Sequence, residues 1–155
     1  MIANVGNKVK IDYVLEVDGK VYDTSFLDVA KNSGIFNVDR HYGPLVFEVG
    51  SPSIIKGLNE GLEGMYVHEE KEIVVSPING YGFRDESRIQ TLPRKLIEKE
   101  EVDLTPGTKL RITTQNGVSV AVVTELTEDE VTFDLNPDLC DKTLKFKVFL
   151  RDILQ

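Results

Sequence analysis

The sequence contains no tryptophan, one cysteine and two histidines among its 155 residues. The lone cysteine, Cys140, has no second cysteine for an intramolecular disulfide and no neighbouring histidine to activate a thiolate. A small, partly buried thiol is therefore favoured over a nucleophile. His41 and His68 are far apart, and neither has a second ligand at the spacing that zinc sites require. We expect no metal, no other cofactor, and a reduced, cytoplasmic protein.

Long apolar runs and an excess of basic residues are also absent. No apolar stretch reaches the roughly 18 residues of a membrane-spanning helix. The 18 Lys and Arg residues are outnumbered by 26 Asp and Glu residues, which gives a formal net charge of −8. No basic run is present to displace counterions from nucleic acid or from an anionic membrane. Neither is an expected partner, and no phosphate-binding glycine motif or nucleophile elbow is present.

The aromatic residues that are present are unevenly distributed. All of the 7 Phe and 5 Tyr residues lie outside positions 84–132, an arrangement that random placement would produce about once in a hundred trials. The intervening segment is rich in Thr, Val, Glu and Lys instead. This shift predicts a discontinuous domain formed by residues 1–83 and 137–155, with a second domain, residues 84–136, inserted into it.

The outer segments predict mainly β structure. Lys8–Val17 alternates polar with apolar residues and meets Asp18-Gly19, a hairpin turn signal, so a return strand is expected from Lys20. Residues 24–43 have no regular period, which favours a functional loop with a short helix near Leu27–Asn32. Further strands are predicted at 45–49, 69–75 and 143–150, and a helix is predicted to open at Ser51-Pro52 with an apolar stripe of Ile54, Ile55, Leu58 and Leu62.

The inner segment predicts a small β unit with one short helix. Its strongest signal is Asn116-Gly117, the dipeptide that most favours a two-residue hairpin turn. The predicted strands are 89–92, Lys109–Thr114, 118–126 and 131–133, and the predicted helix is 93–100.

A conventional catalytic motif is not visible in this pattern. Glu98, Glu100 and Glu101 are interpreted as the solvated face of a helix. What remains is one acid in apolar surroundings, Asp23, which directly follows Tyr22. Its spacing alone favours an Asp that caps a turn, and the alternative is a role in a binding pocket.

Six short sequence blocks follow one another along the chain: Tyr13, Val21-Tyr22-Asp23-Thr24-Ser25, Leu45-x-Phe47-x-Val49-Gly50, Ile54-Ile55-Lys56-Gly57-Leu58-x-x-Gly61-Leu62, Tyr81-Gly82 and Leu144-x-Phe146-x-Val148. With these blocks in this order, the chain resembles the FKBP-type peptidyl-prolyl cis-trans isomerases. It resembles in particular their SlyD-like branch, where a second small domain, the insert-in-flap domain, replaces the flap loop.

The resemblance implies an α+β fold that is mostly antiparallel β: a half-wrapped sheet around a short helix, with a small inserted β-rich domain. It implies peptidyl-prolyl cis-trans isomerase activity during protein folding, carried out in a shallow apolar pocket without covalent or metal chemistry. Carried over by position, the catalytic residues are Tyr13, Asp23, Tyr81 and Phe146, and the substrate pocket is lined by Tyr22, Phe47, Ile54, Ile55 and Leu58.

The resemblance also suggests roles for these residues. Tyr81 would donate a hydrogen bond to a carbonyl next to the proline, and Asp23 would hold Tyr13 or a substrate group. The proline would lie among Tyr13, Phe47, Ile55 and Phe146. For Phe146 and Leu58, a plain core role remains an alternative. Leu58 stands where the family usually has Trp, and Leu45 where Phe is common, so we expect weaker binding of the family's macrolide inhibitors and retained isomerase activity.

In this branch the inserted domain binds extended apolar segments. The expected partners are therefore unfolded or partly folded polypeptides and Xaa-Pro peptides, and a monomer is expected. The edge at 89–96 and the hairpin at 109–123 would supply β-edge and aliphatic surface for strand addition. Two alternatives stay open: these aliphatic residues form the inserted domain's own core, or the whole protein is a non-catalytic chaperone or adaptor that binds apolar or Pro-containing segments.

Overall fold

The computed structural model describes residues 1–96, 105–114 and 117–154. The chain forms two compact units, one of Met1–Phe83 with Asp141–Gln155 and one of Arg84–Cys140. The first unit is thus discontinuous in sequence, and the second extends to Cys140, beyond the position 136 that the aromatic pattern suggests. No helix in the described ranges is long and apolar enough to cross a membrane.

Strands predominate over helices in both units. In the described ranges the α-helices are short, α1 (Leu27–Asn32) and α2 (Lys56–Leu62), and single 3-10 turns occur at Pro77–Asn79, Glu86–Arg88 and Arg94–Leu96. The strands are β1 (Lys8–Val17), β2 (Lys20–Thr24), β3 (Leu45–Glu48), β4 (Glu70–Val75), β5 (Ile89–Pro93), β6 (Lys109–Thr114), β7 (Gly117–Leu126), β8 (Glu130–Asp134) and β9 (Leu144–Leu154).

The first unit is built on a five-stranded antiparallel sheet in the order β2-β1-β9-β4, with β3 also paired to β1. The Asp18-Gly19 turn that joins β1 to β2 has positive φ at both residues, 53° and 79°, as a tight hairpin turn requires. Alternate residues of β1 and β9 face the core because side chains alternate across a strand. They are Val9, Ile11, Leu15, Leu144, Phe146, Val148 and Leu150. The predicted α+β fold, mostly antiparallel β, is confirmed.

Helix α2 lies directly on β4, and two glycines permit the close approach. A Cβ atom on Gly57 would lie 2.5 Å from Cγ1 of Val75, and one on Gly61 would lie 2.5 Å from Cδ1 of Ile73. Leu58 on the same helix is buried. The Gly57-x-x-x-Gly61 spacing therefore serves the packing of a helix onto a sheet.

Helix α2 begins later than the apolar pattern predicts. Ile54 and Ile55 precede it, and Ile55 is its N-cap with φ −58° and ψ 145°. Ile54 belongs to a turn in which its N–H donates to the Ser51 carbonyl at 3.1 Å. The prediction that both isoleucines lie on the helical stripe was wrong, because a run of apolar residues does not distinguish the first helical turn from the turn before it.

The second unit is a four-stranded antiparallel sheet in the order β5-β8-β7-β6. Its core is a cluster of four side chains with partly buried leucines around it, so some of the aliphatic residues at 89–96 and 109–123 do serve the unit's own core. Within this sheet β5 and β6 are the edge strands. The core is formed by Ala121, Val123, Val131 and Phe133, with Leu92, Leu110, Leu126 and Leu135 packed against it.

The helix predicted at 93–100 is only partly within the described residues. Pro93 ends β5, and Arg94–Leu96 form a 3-10 turn in place of the first α-helical turn. Residues 97–100, and with them Glu98 and Glu100, lie outside the described residues, as do Glu101 and Asn116.

Candidate active site

Tyr13 and Asp23 face each other across the β1–β2 hairpin. The Tyr13 hydroxyl donates to Oδ2 of Asp23 at 2.7 Å. Oδ1 of the same carboxylate accepts the N–H of Thr24 at 2.8 Å, and Asp23 lies within strand β2. Asp23 thus takes a local backbone contact with one oxygen and holds the Tyr13 hydroxyl with the other.

Arg40 joins this pair, although the sequence pattern did not single it out. Its Nη1 forms an ion pair with Oδ1 of Asp23, and its Nη2 donates to the Tyr13 hydroxyl at 3.1 Å. Both charged side chains are about one-third exposed, 36% for Arg40 and 33% for Asp23, so solvent screens part of this attraction. The contact spans 17 positions of a loop without periodicity. The sequence holds no signal that would have singled out Arg40.

An aromatic stack holds the loop that carries Arg40. The rings of Phe36 and Tyr42 stack with centroids 5.8 Å apart and an interplanar angle of 21°. The guanidinium of Arg40 lies 5.0 Å from the Tyr42 centroid, and the ammonium of Lys31 lies 5.3 Å from the Phe36 centroid. Each ring therefore attracts one cation through its negative face, and Arg40 is held from two sides.

The electrostatics of the site keep Tyr13 protonated. Burial, followed by the hydrogen bond and the negative charge of Asp23, raises the pKa of Tyr13 to about 12, while Arg40 partly opposes this shift. Burial alone would lower the pKa of Arg40, but the hydrogen bonds and charges of Asp23 and Tyr13 raise it above its usual value. Tyr13 is therefore a neutral phenol and Arg40 a permanent cation.

Phe146 packs beside this polar group. Its ring lies 6.5 Å from that of Tyr13, tilted by 56°, and it is 5% exposed. On β9 it pairs with Leu15 of β1. Phe146 is therefore a core residue that also forms an apolar wall next to Tyr13, and Leu58 is buried to a similar degree at 6%.

The remaining predicted site residues are more open. Tyr22 and Tyr81 are 46% and 43% exposed, and Phe47, Ile54 and Ile55 are half-buried. Among the described residues, no hydrogen bond or ring contact ties Tyr81 to the Tyr13–Asp23 pair. Direct contacts thus join Tyr13, Asp23 and Phe146.

A second polar group fixes the backbone behind the pair. The buried carboxylate of Asp12 accepts hydrogen bonds from Ser25 Oγ and Arg151 Nε, each at 2.8 Å. Ser25 Oγ in turn accepts the N–H of Tyr13 at 2.9 Å, and the Ser25 N–H donates to the Tyr13 carbonyl at 3.0 Å. The guanidinium of Arg151 lies 5.2 Å from the centroid of Phe149. This group anchors the backbone of Tyr13.

A cavity of about 570 Å³ adjoins Ile54 and Ile55. It is lined mainly by residues 50–56 and by α2, and neither Tyr13 nor Asp23 is among its lining residues. Its other lining side chains include Val5, Ser51, Lys56, Asn59 and Glu60. The Tyr13–Asp23 pair and this cavity are therefore separate features of the first unit.

Metal-binding and thiol groups are sparse where the structure describes the chain. No group of three or more His, Cys, Asp or Glu side chains in the described ranges is arranged to hold a metal ion. Cys140 is a free, half-buried cysteine, as its sequence context predicts.

Comparison with known proteins gives consistent matches. The profile of the FKBP-type peptidyl-prolyl cis-trans isomerases matches residues 1–151. A short-type peptidyl-prolyl cis-trans isomerase of Methanocaldococcus jannaschii is 41% identical over 148 residues, 96% of this chain and 92% of that protein. The FKBP-type peptidyl-prolyl cis-trans isomerase SlyD of Aeromonas hydrophila is 34% identical over 110 residues, 71% of this chain, and the match spans 51% of that relative. The crystal structure of AtFKBP13 superimposes with a TM-score of 0.51 at 18% identity, over 99% of this chain and 83% of that one, which shows a shared fold.

Proposed function

The chain belongs to the FKBP-type peptidyl-prolyl cis-trans isomerases and is an enzyme of that class, and we propose that it isomerises Xaa-Pro bonds beside the Tyr13–Asp23 pair. The observation that carries this placement is the contact set around Tyr13: a carboxylate at 2.7 Å, a guanidinium at 3.1 Å and the ring of Phe146 at 6.5 Å. It combines one fixed polar edge with an apolar wall.

Isomerisation of an Xaa-Pro bond requires no nucleophile. Rotation about a peptide bond crosses a barrier of ~18–20 kcal/mol because amide resonance is lost at the twisted transition state. An enzyme lowers this barrier by binding the twisted form more tightly than the planar forms. Apolar walls help because water stabilises the charge-separated planar form, and removing it from the carbonyl favours rotation.

Each residue has a distinct role in this proposal. Asp23 and Arg40 hold the Tyr13 hydroxyl, so the Tyr13 ring forms a rigid wall opposite Phe146. The proline ring lies against these two rings, Phe47 and Ile55. Tyr81, whose side chain is 43% exposed, donates to the carbonyl next to the proline once substrate is bound.

Exchange spectroscopy on an Xaa-Pro tetrapeptide tests the placement. We expect Phe146→Ala and Asp23→Ala to lower kcat/KM by at least tenfold, and Tyr81→Phe to lower it by about three- to tenfold, since one hydrogen bond contributes ~1 kcal/mol. Tyr66→Phe, an exposed tyrosine paired by a bridge to Ile2, is the matched control and should change nothing. Wild-type rates in the folded Asp23→Ala and Phe146→Ala variants would show that the active site lies elsewhere. Identical exchange with and without the protein would contradict the isomerase activity itself.

The proposal includes a second activity for the Arg84–Cys140 unit, the binding of extended apolar segments of unfolded chains. Two observations support it. The edge strands β5 and β6 offer backbone N–H and C=O groups to an added strand. A cavity of about 440 Å³ is lined in part by Val120, which is 52% exposed, and Leu135. An incoming strand on β6 would place an apolar side chain at this cavity.

Deletion of the second unit separates the two activities. The ends of the remaining chain meet, because the Asp141 N–H donates to the Gly82 carbonyl at 2.8 Å, so Phe83 can be joined to Asp141 by a short linker. We expect tetrapeptide isomerisation to persist and catalysis on an unfolded protein substrate to collapse. Equal losses in both assays would contradict a separate chaperone role.

A cytoplasmic location and a monomeric state are part of the same proposal. The single cysteine supports a reducing compartment. Light scattering after size-exclusion chromatography tests the monomer, and a mass of twice the 17.4 kDa of the chain would contradict it.

A further inference from the structure

The segment of residues 50–55, which connects β3 to α2 and carries Ile54 and Ile55, is tied down by one side chain. Oδ1 of Asn59 accepts the Gly50 N–H at 2.9 Å. Nδ2 of Asn59 donates to the carbonyls of Ser51 at 3.1 Å and Ile54 at 3.2 Å. The backbone N–H of Asn59 adds a bond to the Ile55 carbonyl at 3.2 Å. One residue of α2 thus reaches both ends of the segment.

Position 59 requires a side chain that both donates and accepts hydrogen bonds. The side chain at position 59 must accept one hydrogen bond, from the Gly50 N–H, and donate two, to the carbonyls of Ser51 and Ile54. A primary amide has this combination of one acceptor oxygen and two N–H donors. A carboxylate of the same shape would keep the acceptor, lose both donors and face two carbonyl oxygens. An isosteric apolar side chain would remove all three bonds, although the Ser51 carbonyl would keep the bond from the Ile54 N–H.

A cavity of about 570 Å³ adjoins the segment, so packing supports the segment only in part. Residues 51–55 and Asn59 all line this cavity, and both isoleucines are only half-buried. Within the segment, the Ile54 N–H donates to the Ser51 carbonyl at 3.1 Å. The side chain of Asn59 adds three hydrogen bonds that tie the segment to α2.

We propose that Asn59 is a positioning residue for substrate binding, which fixes residues 50–55 so that Ile54 and Ile55 form a rigid wall of the proline pocket. The inference rests on the proposed function, since it needs Ile55 to contact the substrate. It adds a residue that touches no substrate itself and that acts through the two isoleucines.

The kinetic signature distinguishes positioning from a general effect on folding. A wall that contacts the substrate in the planar and twisted forms alike contributes uniform binding, so its loss raises KM and leaves kcat nearly unchanged. Loss of folded protein lowers the apparent kcat and leaves KM unchanged. Comparing the change in KM with the change in kcat therefore distinguishes the two explanations.

Initial rates over a range of tetrapeptide concentrations provide this comparison for the full chain. We expect KM to rise about three- to tenfold in both Asn59→Leu and Asn59→Asp, since the first loses all three side-chain bonds and the second sets a carboxylate oxygen against two carbonyl oxygens, with kcat changed by less than about twofold in both. Asn59→Asp preserves the shape of the side chain and remains informative if Asn59→Leu does not fold. Asn136→Asp is the matched control, because Asn136 likewise accepts from the Asp85 N–H at 2.9 Å and donates to the Asp85 carbonyl at 3.1 Å in the second unit.

A double variant shows whether Asn59 acts through the wall. In an Ile55→Ala background the KM effect of Asn59→Asp should shrink to less than about twofold, because coupled residues are not additive. Additive effects, or a lowered kcat at unchanged KM, would overturn the inference. If Ile55→Ala alone changes neither constant, the proposed pocket itself fails, which is a different result from a failure confined to Asn59.

Discussion

The hydroxyl of Tyr13 donates a hydrogen bond of 2.7 Å to Oδ2 of Asp23, in a place where burial and the carboxylate raise the pKa of Tyr13 to about 12. The folded protein therefore holds this proton more tightly than the unfolded chain does, where a tyrosine has a pKa of about 10. The stability that follows from this difference is fully present below about pH 10 and is lost as the pH rises toward 12.

This relation predicts an alkaline stability difference between the wild type and Tyr13→Phe. The wild-type free energy of unfolding should fall more steeply than that of Tyr13→Phe between about pH 9 and pH 11, because the variant has no phenol to ionise at this site. Urea unfolding at the two pH values measures both slopes. Parallel slopes would mean that Tyr13 ionises as it does in the unfolded chain.

Arg40 is predicted to matter for catalysis through the position of Asp23 and Tyr13. Arg40→Met should lower kcat/KM for a tetrapeptide by about three- to tenfold, a moderate loss because the ion pair is one-third exposed and partly screened. Arg40→Lys should recover only part of it, since an ammonium cannot serve both partners with the fixed geometry of a guanidinium.

The control for Arg40 is Arg84→Met. Arg84 also pairs with a carboxylate, Asp134 at 2.7 Å, but in the second unit. This variant should leave tetrapeptide isomerisation unchanged. Equal losses in the Arg40 and Arg84 variants would show a general charge effect.

Removal of the charge of Arg151 should destabilise the first unit. Arg151→Met keeps much of the side-chain stem over Phe149 but leaves the Asp12 carboxylate, 10% exposed, with Ser25 as its remaining side-chain partner. We expect a loss of about 1–3 kcal/mol in the free energy of unfolding, below the range for fully buried pairs because Arg151 is 42% exposed. Urea unfolding at neutral pH measures it. Asp12→Asn combined with Arg151→Met should be less destabilised than the sum of the single variants, and strict additivity would show that the two residues do not interact.

Gly61→Ala should destabilise the protein although alanine favours helices. The added Cβ would lie 2.5 Å from Cδ1 of Ile73, and such overpacking typically costs about 1–3 kcal/mol, against a helix-propensity gain of about 1 kcal/mol. Thermal unfolding measures the net loss. Ile73→Val removes Cδ1 and should relieve part of the loss in the double variant. An unchanged or higher melting temperature in Gly61→Ala would mean that α2 can move away from β4.

Much of the first unit follows from local patterns in the chain. The alternation of Lys8–Val17 and the Asp18-Gly19 turn predict β1 and its hairpin, and both are confirmed. The helix expected at Leu27–Asn32 is present. The blocks around Asp23, Phe47 and Phe146 led to the family that the comparisons confirm. Each of these features depends on neighbours within a few residues, and such patterns can be recognised in one sequence.

Arg40, Asn59 and the place of Ile54 could not be predicted in this way. Arg40 and Asp23 are 17 positions apart, with α1 between them, and no periodic pattern in the sequence relates the two positions. Asn59 contacts backbone N–H and C=O groups, which every residue has, so its partners leave no signature in the side chains of residues 50–55. The sequence by itself determined the strands, the turn and the family, because those depend on local periodicity and on short motifs. Only the tertiary structure decided which charge, which amide and which ring meet at the site, because these contacts form when distant segments pack together.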